Sequence, residues 1–207
     1  MNTIRLSVVA ASLTLAVAAA PTFAQTSQAT VQDARQSQSG ALNKQEANIG
    51  NASGNASTKV NLGSLRQNQS GAMNKQEANI GNASGNARTD VSVQSLRQNQ
   101  SGMGNSQGAD IGNASGNGRA NVQVGSVQQG QSGMFNKQKV AIGNAAGSGS
   151  TNVKVGSVKQ SQSGMGNKQA VEIGNNSGSG STNVQVGNVV QSQGGLLGND
   201  KVRIGNR

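Results

Sequence analysis

A 31-residue period runs through almost the whole chain and restricts the folds open to it. Gly40, Gly71, Gly102, Gly133, Gly164 and Gly195 are 31 apart. The same spacing relates Gln38, Gln69, Gln100, Gln131, Gln162 and Gln193, and it relates Ile49, Ile80, Ile111, Ile142, Ile173 and Ile204. Asn43, Asn74, Asn105, Asn136 and Asn167 follow it until Gly198 breaks the series. Self-similarity at this period is the mark of a repeat array, in which each unit covers its neighbour and no unit is stable alone. The units divide as 33–63, 64–94, 95–125, 126–156 and 157–187, with a partial unit at 188–207 and a short segment, 25–32, before them.

Within a unit the apolar pattern has period two, the period of a strand. In the stretch TNVKVGSVKQSQ, Val153 and Val155 share one face, as do Val158, Gln160 and Gln162. The three-residue step from Val155 to Val158 predicts a bend or bulge at Gly156 and Ser157. NKQAVEIG alternates again, placing Asn167, Gln169, Val171 and Ile173 together, while SGMGN and NNSGSG read as turns. The first unit repeats this set as Asn43, Gln45, Ala47 and Ile49, and the fourth as Asn136, Gln138, Val140 and Ile142. Outward positions vary, as Lys44, Glu46 and Asn48 do against Lys137, Lys139 and Ala141. The expected fold class is therefore all-β: a β-solenoid of stacked 31-residue coils, parallel and in register. Whether the coil is two-layered or three-sided is left open.

Composition supports order by repetition. The chain has no Cys, His, Trp or Tyr, two Phe and 30 Gly, too little bulk for an ordinary globular core. In a stack, identical side chains lie about 4.8 Å apart. Asn and Gln then form hydrogen-bonded ladders, since each amide both donates and accepts. Three amide ladders are expected: Gln38 to Gln193, Asn43 to Asn167, and Gln45, Gln76, Gln107, Gln138 and Gln169. The isoleucines form an apolar column, and the repeated glycines supply the turns. The charges lie outside. The lysine column Lys44, Lys75, Lys137 and Lys168 is relieved by Ser106 and by Glu46, Glu77 and Glu172.

The residues exclude more than they nominate. Without His or Cys the chain lacks the commonest general base and the thiolate metal ligand. The acids do not cluster, so no catalytic, metal or cofactor site is expected, and the chain reads as no enzyme. A net charge of +10, with no Tyr or Trp to stack bases, predicts at most weak, salt-sensitive binding to extracellular DNA or other anionic polymers and no specific nucleic-acid partner. Asn51, Asn82 and Asn113 begin Asn-x-Ser triplets that read as repeated turns. Residues 1–24 carry one early positive charge, the apolar run LSVVAASLTLAVAAA and then Pro-Thr-Phe-Ala. That is the layout of a cleaved secretory signal peptide, too short and Ala-rich for a membrane anchor.

Gln-x-Gly-x-x-Asn-x-Gln occurs at 38–45, 69–76, 100–107, 131–138 and 162–169. It resembles the curlin repeat of bacterial curli fibres, Ser-x5-Gln-x-Gly-x-x-Asn-x-Ala-x3-Gln. The unit here is longer, Gln stands where curlin has Ala, and Ile stands where curlin has its closing Gln, so the chain is curlin-like. The resemblance implies export through an outer-membrane pore of a Gram-negative-type bacterium, assembly with a nucleator into extracellular amyloid-like fibres, and a part in biofilm matrix and adhesion. The repeat begins soon after Gln25 and the last unit stops behind its final strand, so both sheet edges are expected to be open. That favours a fibre subunit, major or minor. The competing expectation is a monomeric solenoid binding ice or carbohydrate through an outward column such as Thr58, Thr89, Thr151 and Thr182, which Ala120 interrupts.

Overall fold

The computed structural model describes residues 26–206, together with the backbone of two short stretches before them, 6–9 and 14–16. The expected signal peptide falls mainly outside the described residues. The two stretches are β1, Leu6–Val9, and β2, Thr14–Ala16. Then come β3 (Thr26–Ser37), β4 (Glu46–Asn48), β5 (Ser57–Asn68), β6 (Arg88–Asn99), β7 (Arg119–Gly130), β8 (Ser150–Lys159) and β9 (Thr182–Val190). The described residues contain no helix.

The chain is a β-solenoid. One parallel sheet runs β1-β3-β5-β6-β7-β8-β9, and β2 pairs with β4 in a second, small sheet. Along the main sheet each residue faces the residue 31 positions on: Val60 pairs with Val91, Val91 with Val122, Val122 with Val153, and Val153 with Val184. Valine, leucine and threonine at alternate positions make these strands, and their inward members are buried: Val60, Leu62 and Leu65 in β5, Val91, Val93 and Leu96 in β6. The step of three between Leu62 and Leu65 is accommodated at Gly63, which the strand pairing skips. The same skip recurs at Gly125, Gly156 and Gly187, so the expected bulge is itself stacked.

The second wall of each coil, such as 74–81, alternates as expected, with Asn74, Gln76, Ala78 and Ile80 buried. It is not a regular strand, however. Only Glu46–Asn48 qualifies, and the later coils keep isolated bridges such as Ala47 to Ala78. Positive φ angles at Ala109 (104°), Ile111 (47°), Ile142 (31°) and Glu172 (110°) interrupt the extended backbone. Parallel main-chain bonds between coils nevertheless persist, from Gln76 N to Ser106 O at 3.1 Å and from Gly81 N to Ile111 O at 2.7 Å. The coil is thus two-walled: a long bulged strand faces an irregular ladder, with the core between them.

The walls approach closely at the glycine after each buried isoleucine. A methyl group on Gly81 would sit 2.2 Å from Val91 Cγ2, and one on Gly112 2.2 Å from Val122 Cγ2. Gly112→Ala should therefore destabilise the coil by about 1–3 kcal/mol through overpacking. Gly116→Ala, which meets nothing within 4 Å, should change little. Urea unfolding of the two variants followed by circular dichroism checks the difference.

Candidate self-assembly ladders

The inward amides divide into groups with different partners. The glutamines at the turn form a ladder. Gln69 Nε2 donates to Gln38 Oε1 at 3.1 Å, Gln100 to Gln69 at 2.9 Å, Gln131 to Gln100 at 2.9 Å and Gln162 to Gln131 at 3.0 Å. Each amide spends a second hydrogen closing its own turn, from Gln69 to Lys75 O at 2.9 Å and from Gln100 to Ser106 O at 2.7 Å. The asparagines do the same: Asn74 to Asn43 at 2.8 Å, Asn105 to Asn74 at 2.9 Å, Asn136 to Asn105 at 2.8 Å and Asn167 to Asn136 at 2.8 Å.

Both ladders stop at the fifth rung. Gly198 has no amide to offer Asn167, whose Oδ1 is left buried and unpartnered. Gln193 does not continue the first column: its amide turns toward Asp200, and Gln162 Oε1 is left without a partner. Asp200 occupies the position that Gln169 holds one coil earlier and accepts from Gln169 Nε2 at 3.1 Å.

The third expected ladder does not form. Gln45, Gln76, Gln138 and Gln169 each donate across the coil, to Asn68 O at 2.5 Å, Asn99 O at 2.6 Å, Ser161 O at 2.8 Å and Ser192 O at 2.9 Å. Gln107 donates likewise to Gly130 O. The physical reason is that these side chains stand on the irregular wall, opposite carbonyls at the ends of the long strands. A main-chain acceptor across the core outcompetes the neighbouring amide along the axis. The Oε1 atoms of Gln45, Gln76, Gln107, Gln138 and Gln169 consequently have no partner.

Three ladders were not among the expected set, one of them exposed, running from Asp90 through Asn121 and Asn152 to Asn183. Gln67 donates to Gln36 at 3.2 Å, Gln98 to Gln67 at 3.1 Å, Gln129 to Gln98 at 2.9 Å, Gln160 to Gln129 at 3.0 Å and Gln191 to Gln160 at 2.9 Å. Gln67, Gln98 and Gln160 are completely buried. This ladder has six rungs and reaches the last strand. Its signal was the inward parity of Gln160 between Val158 and Gln162. On the turn, Asn82 donates to Asn113, Asn113 to Asn144 and Asn144 to Asn175, at 2.8, 2.8 and 2.7 Å. Its signal was the Ile-Gly-Asn that recurs in every unit.

The other expected positions sort by place in the stack. Ile49, Ile80, Ile111, Ile142 and Ile173 are buried, while Ile204 is 45% exposed at the end of the column. Gly40, Gly71, Gly102, Gly133 and Gly164 have positive φ. Gly195 does not, although Leu196 after it keeps the left-handed conformation (φ 80°) that Ala72, Met103, Met134 and Met165 take in the preceding coils. Thr58, Thr89 and Thr151 point inward and are buried, so they form no outward binding column. On the outside, an apolar ridge of Leu42, Met73, Met103, Phe135, Met165 and Leu196 follows the turn corner. Its signal was an apolar residue at the centre of each polar turn. Among the described residues no three acids come together as a metal site.

Charges act locally. Lys139 Nζ lies 2.9 Å from Asp110 Oδ1, and Lys201 makes the equivalent contact with Glu172. The hydrogen bond from Lys201, aided by the charges of Lys201, Arg203 and Lys139, holds the Glu172 carboxyl below its ordinary range against the opposing effect of burial. The hydrogen bond from Ser64, with Arg35 beside it, likewise lowers Asp33.

No known protein family, no curated protein and no solved structure matches this chain.

Two outcomes test the division of the glutamines. Gln98→Met should cost about 1–3 kcal/mol, because it strands buried partners on both sides. Gln107→Met should cost less, since the Gln107 oxygen is already unpartnered and Gly130 O, which loses the Gln107 donor, still accepts from Gln100 N at 3.2 Å. Chemical denaturation of both variants checks this. Because Glu172 is lowered on folding, its contribution is present above the ordinary glutamate range and lost as pH falls through its lower folded value. Amide exchange in the last coil should accelerate over that interval, and Glu172→Gln should flatten the response.

Proposed function

We propose that this chain is an exported structural subunit that polymerises end to end into extracellular amyloid-like fibres, serving biofilm matrix and adhesion in the manner of curli. The observation that carries the reading is the uncovered last coil. β9 pairs with β8 on one side only. Its Val184, Val186 and Val189 are only partly covered, and Ile204 is exposed. A parallel in-register sheet with a free edge is a template for the next strand.

Several further features support the reading. The main-sheet pairings repeat without change of register and the Gln36–Gln191 ladder reaches the last strand, so a further coil meets the same strand edge and the same glutamine column as the one before it. The curlin-like motif occupies the turn that carries two amide ladders. The apolar run at the start fits a secretory leader, and the partners of such a subunit would be further copies of itself, an outer-membrane export pore and a nucleator. The diffuse positive charge suits loose association with extracellular DNA or other anionic polymers.

Dilution of the denatured chain from Gln25 onward into native buffer should yield fibrils that bind thioflavin. They should diffract near about 4.8 Å along the axis and grow without lag when seeded. Replacing Gln69, Gln100 and Gln131 together by Ala should slow growth, because three adjacent rungs of one ladder are lost. A β-rich monomer that stays unpolymerised under seeding would overturn the proposal and point to a monomeric surface-binding solenoid.

A further inference from the structure

The outer face of the irregular wall carries three columns of side chains along the stack; two of its ion pairs, Lys44 with Glu46 and Lys75 with Glu77, lie within one coil, and two run between coils. Lys139 pairs with Asp110, and Lys201 pairs with Glu172, each across 29 positions. In both, a residue of the middle column meets a residue of the third column in the preceding coil. At the last described coil the third-column residue is Arg203, which is exposed. At the first coil the middle-column residue is Glu46, whose nearest basic partner is Lys44 at 3.9 Å.

From this geometry we infer that the occupant of the open last coil is a second copy of the chain, docked by its first coil, and that Arg203 pairs with Glu46 of the second copy to fix polarity and register. The inference rests on the fibre-subunit reading. Continuing the 31-residue translation places Ser27, Val31 and Ala34 of the second copy against Thr182, Val186 and Val189, and Ile49 over the exposed Ile204. Gln36 of the second copy lies over Gln191, so the six-rung glutamine ladder crosses the junction. Glu46 of the second copy then falls on the diagonal from Arg203, with the two signs exchanged relative to the internal pairs. Glu172, Lys201, Arg203 and the incoming Glu46 make a cluster of alternating charge. A copy docked the other way, last coil against last coil, would crowd Arg203 and Lys201 against their own counterparts. Like charges placed opposite one another reject wrong partners and wrong registers.

The first coil is not bare in the full chain. β1 runs along the outer edge of β3, and β2 along β4. They occupy the seat that the last coil of another copy would take, so the full chain and the chain from Gln25 are compared side by side. The core and the ladders lie within residues 29–191, apart from the short leader strands.

Two charge reversals test the pair. Glu46→Arg places a base where the fourth coil already has Lys139. Arg203→Glu places an acid where the fifth coil already has Glu172. Neither therefore introduces a sign of charge that the column does not already hold. Thermal unfolding of each monomer, and Lys168→Glu as a control for net charge, separate junction effects from folding. Each reversal alone should elongate its own seeds about tenfold more slowly than the parent at low salt, with the deficit shrinking as salt screens the pair. The double variant should return to within about twofold of the parent. An equimolar mixture of the two single variants should also elongate well, as an alternating copolymer, because each then offers the other an opposite charge. Parent fibres with single variants that elongate normally, or with a double variant and mixture that stay slow, would overturn the Arg203–Glu46 junction and leave the subunit reading standing. Absence of parent fibres under seeding would remove both.

Discussion

Everything in this molecule depends on one constraint: each coil must repeat the one before it by pure translation. The parallel main-chain bonds between strands impose that translation, and every side chain then meets its own equivalent one coil away. An apolar column gains from this without further requirement, because isoleucine packs on isoleucine as well as on anything else. A buried amide gains only if its column is unbroken. Gln98 is satisfied because Gln67 lies below it and Gln129 above it. The ladders therefore couple neighbouring coils, and a defect in one rung is felt by two others.

The same constraint explains the character of the last coil. Three departures from the repeat occur there: Gly198 for Asn, Asp200 for Gln, and Gln193 turned aside to Asp200. Two ladders lose their continuation as a result, while the Gln36–Gln191 ladder and the main sheet do not. The last coil thus keeps the apolar and backbone means of continuing the stack and gives up part of the amide bonding. It also concentrates basic charge on its outer face, in Lys201 and Arg203.

The irregular wall shows where tertiary packing overrides local preference. Its sequence alternates as cleanly as that of the long strand, yet residues such as Ile111 and Ile142 adopt positive φ angles that a β-branched residue resists. The neighbouring Gly112 and Gly143 pack directly on Val122 and Val153 of the opposite wall. Gln76 and its equivalents, standing on this wall, find the strand-end carbonyl opposite rather than the amide above.

The sequence by itself determined the period, the all-β class, the parallel register and the inward parity of nearly every residue. It did so because a stacked coil permits only one alignment, and alternation within the unit leaves only one inward face. It also located the bulge at Gly156 and the break at Gly198. Whether an inward amide bonds along the axis or across it was decided only by the tertiary structure. Gln69 and Gln76 are both inward and both repeat at 31 residues. One meets an amide, while the other meets a carbonyl. The difference lies in what the opposite wall presents at hydrogen-bond distance, and no periodicity in the chain encodes that distance.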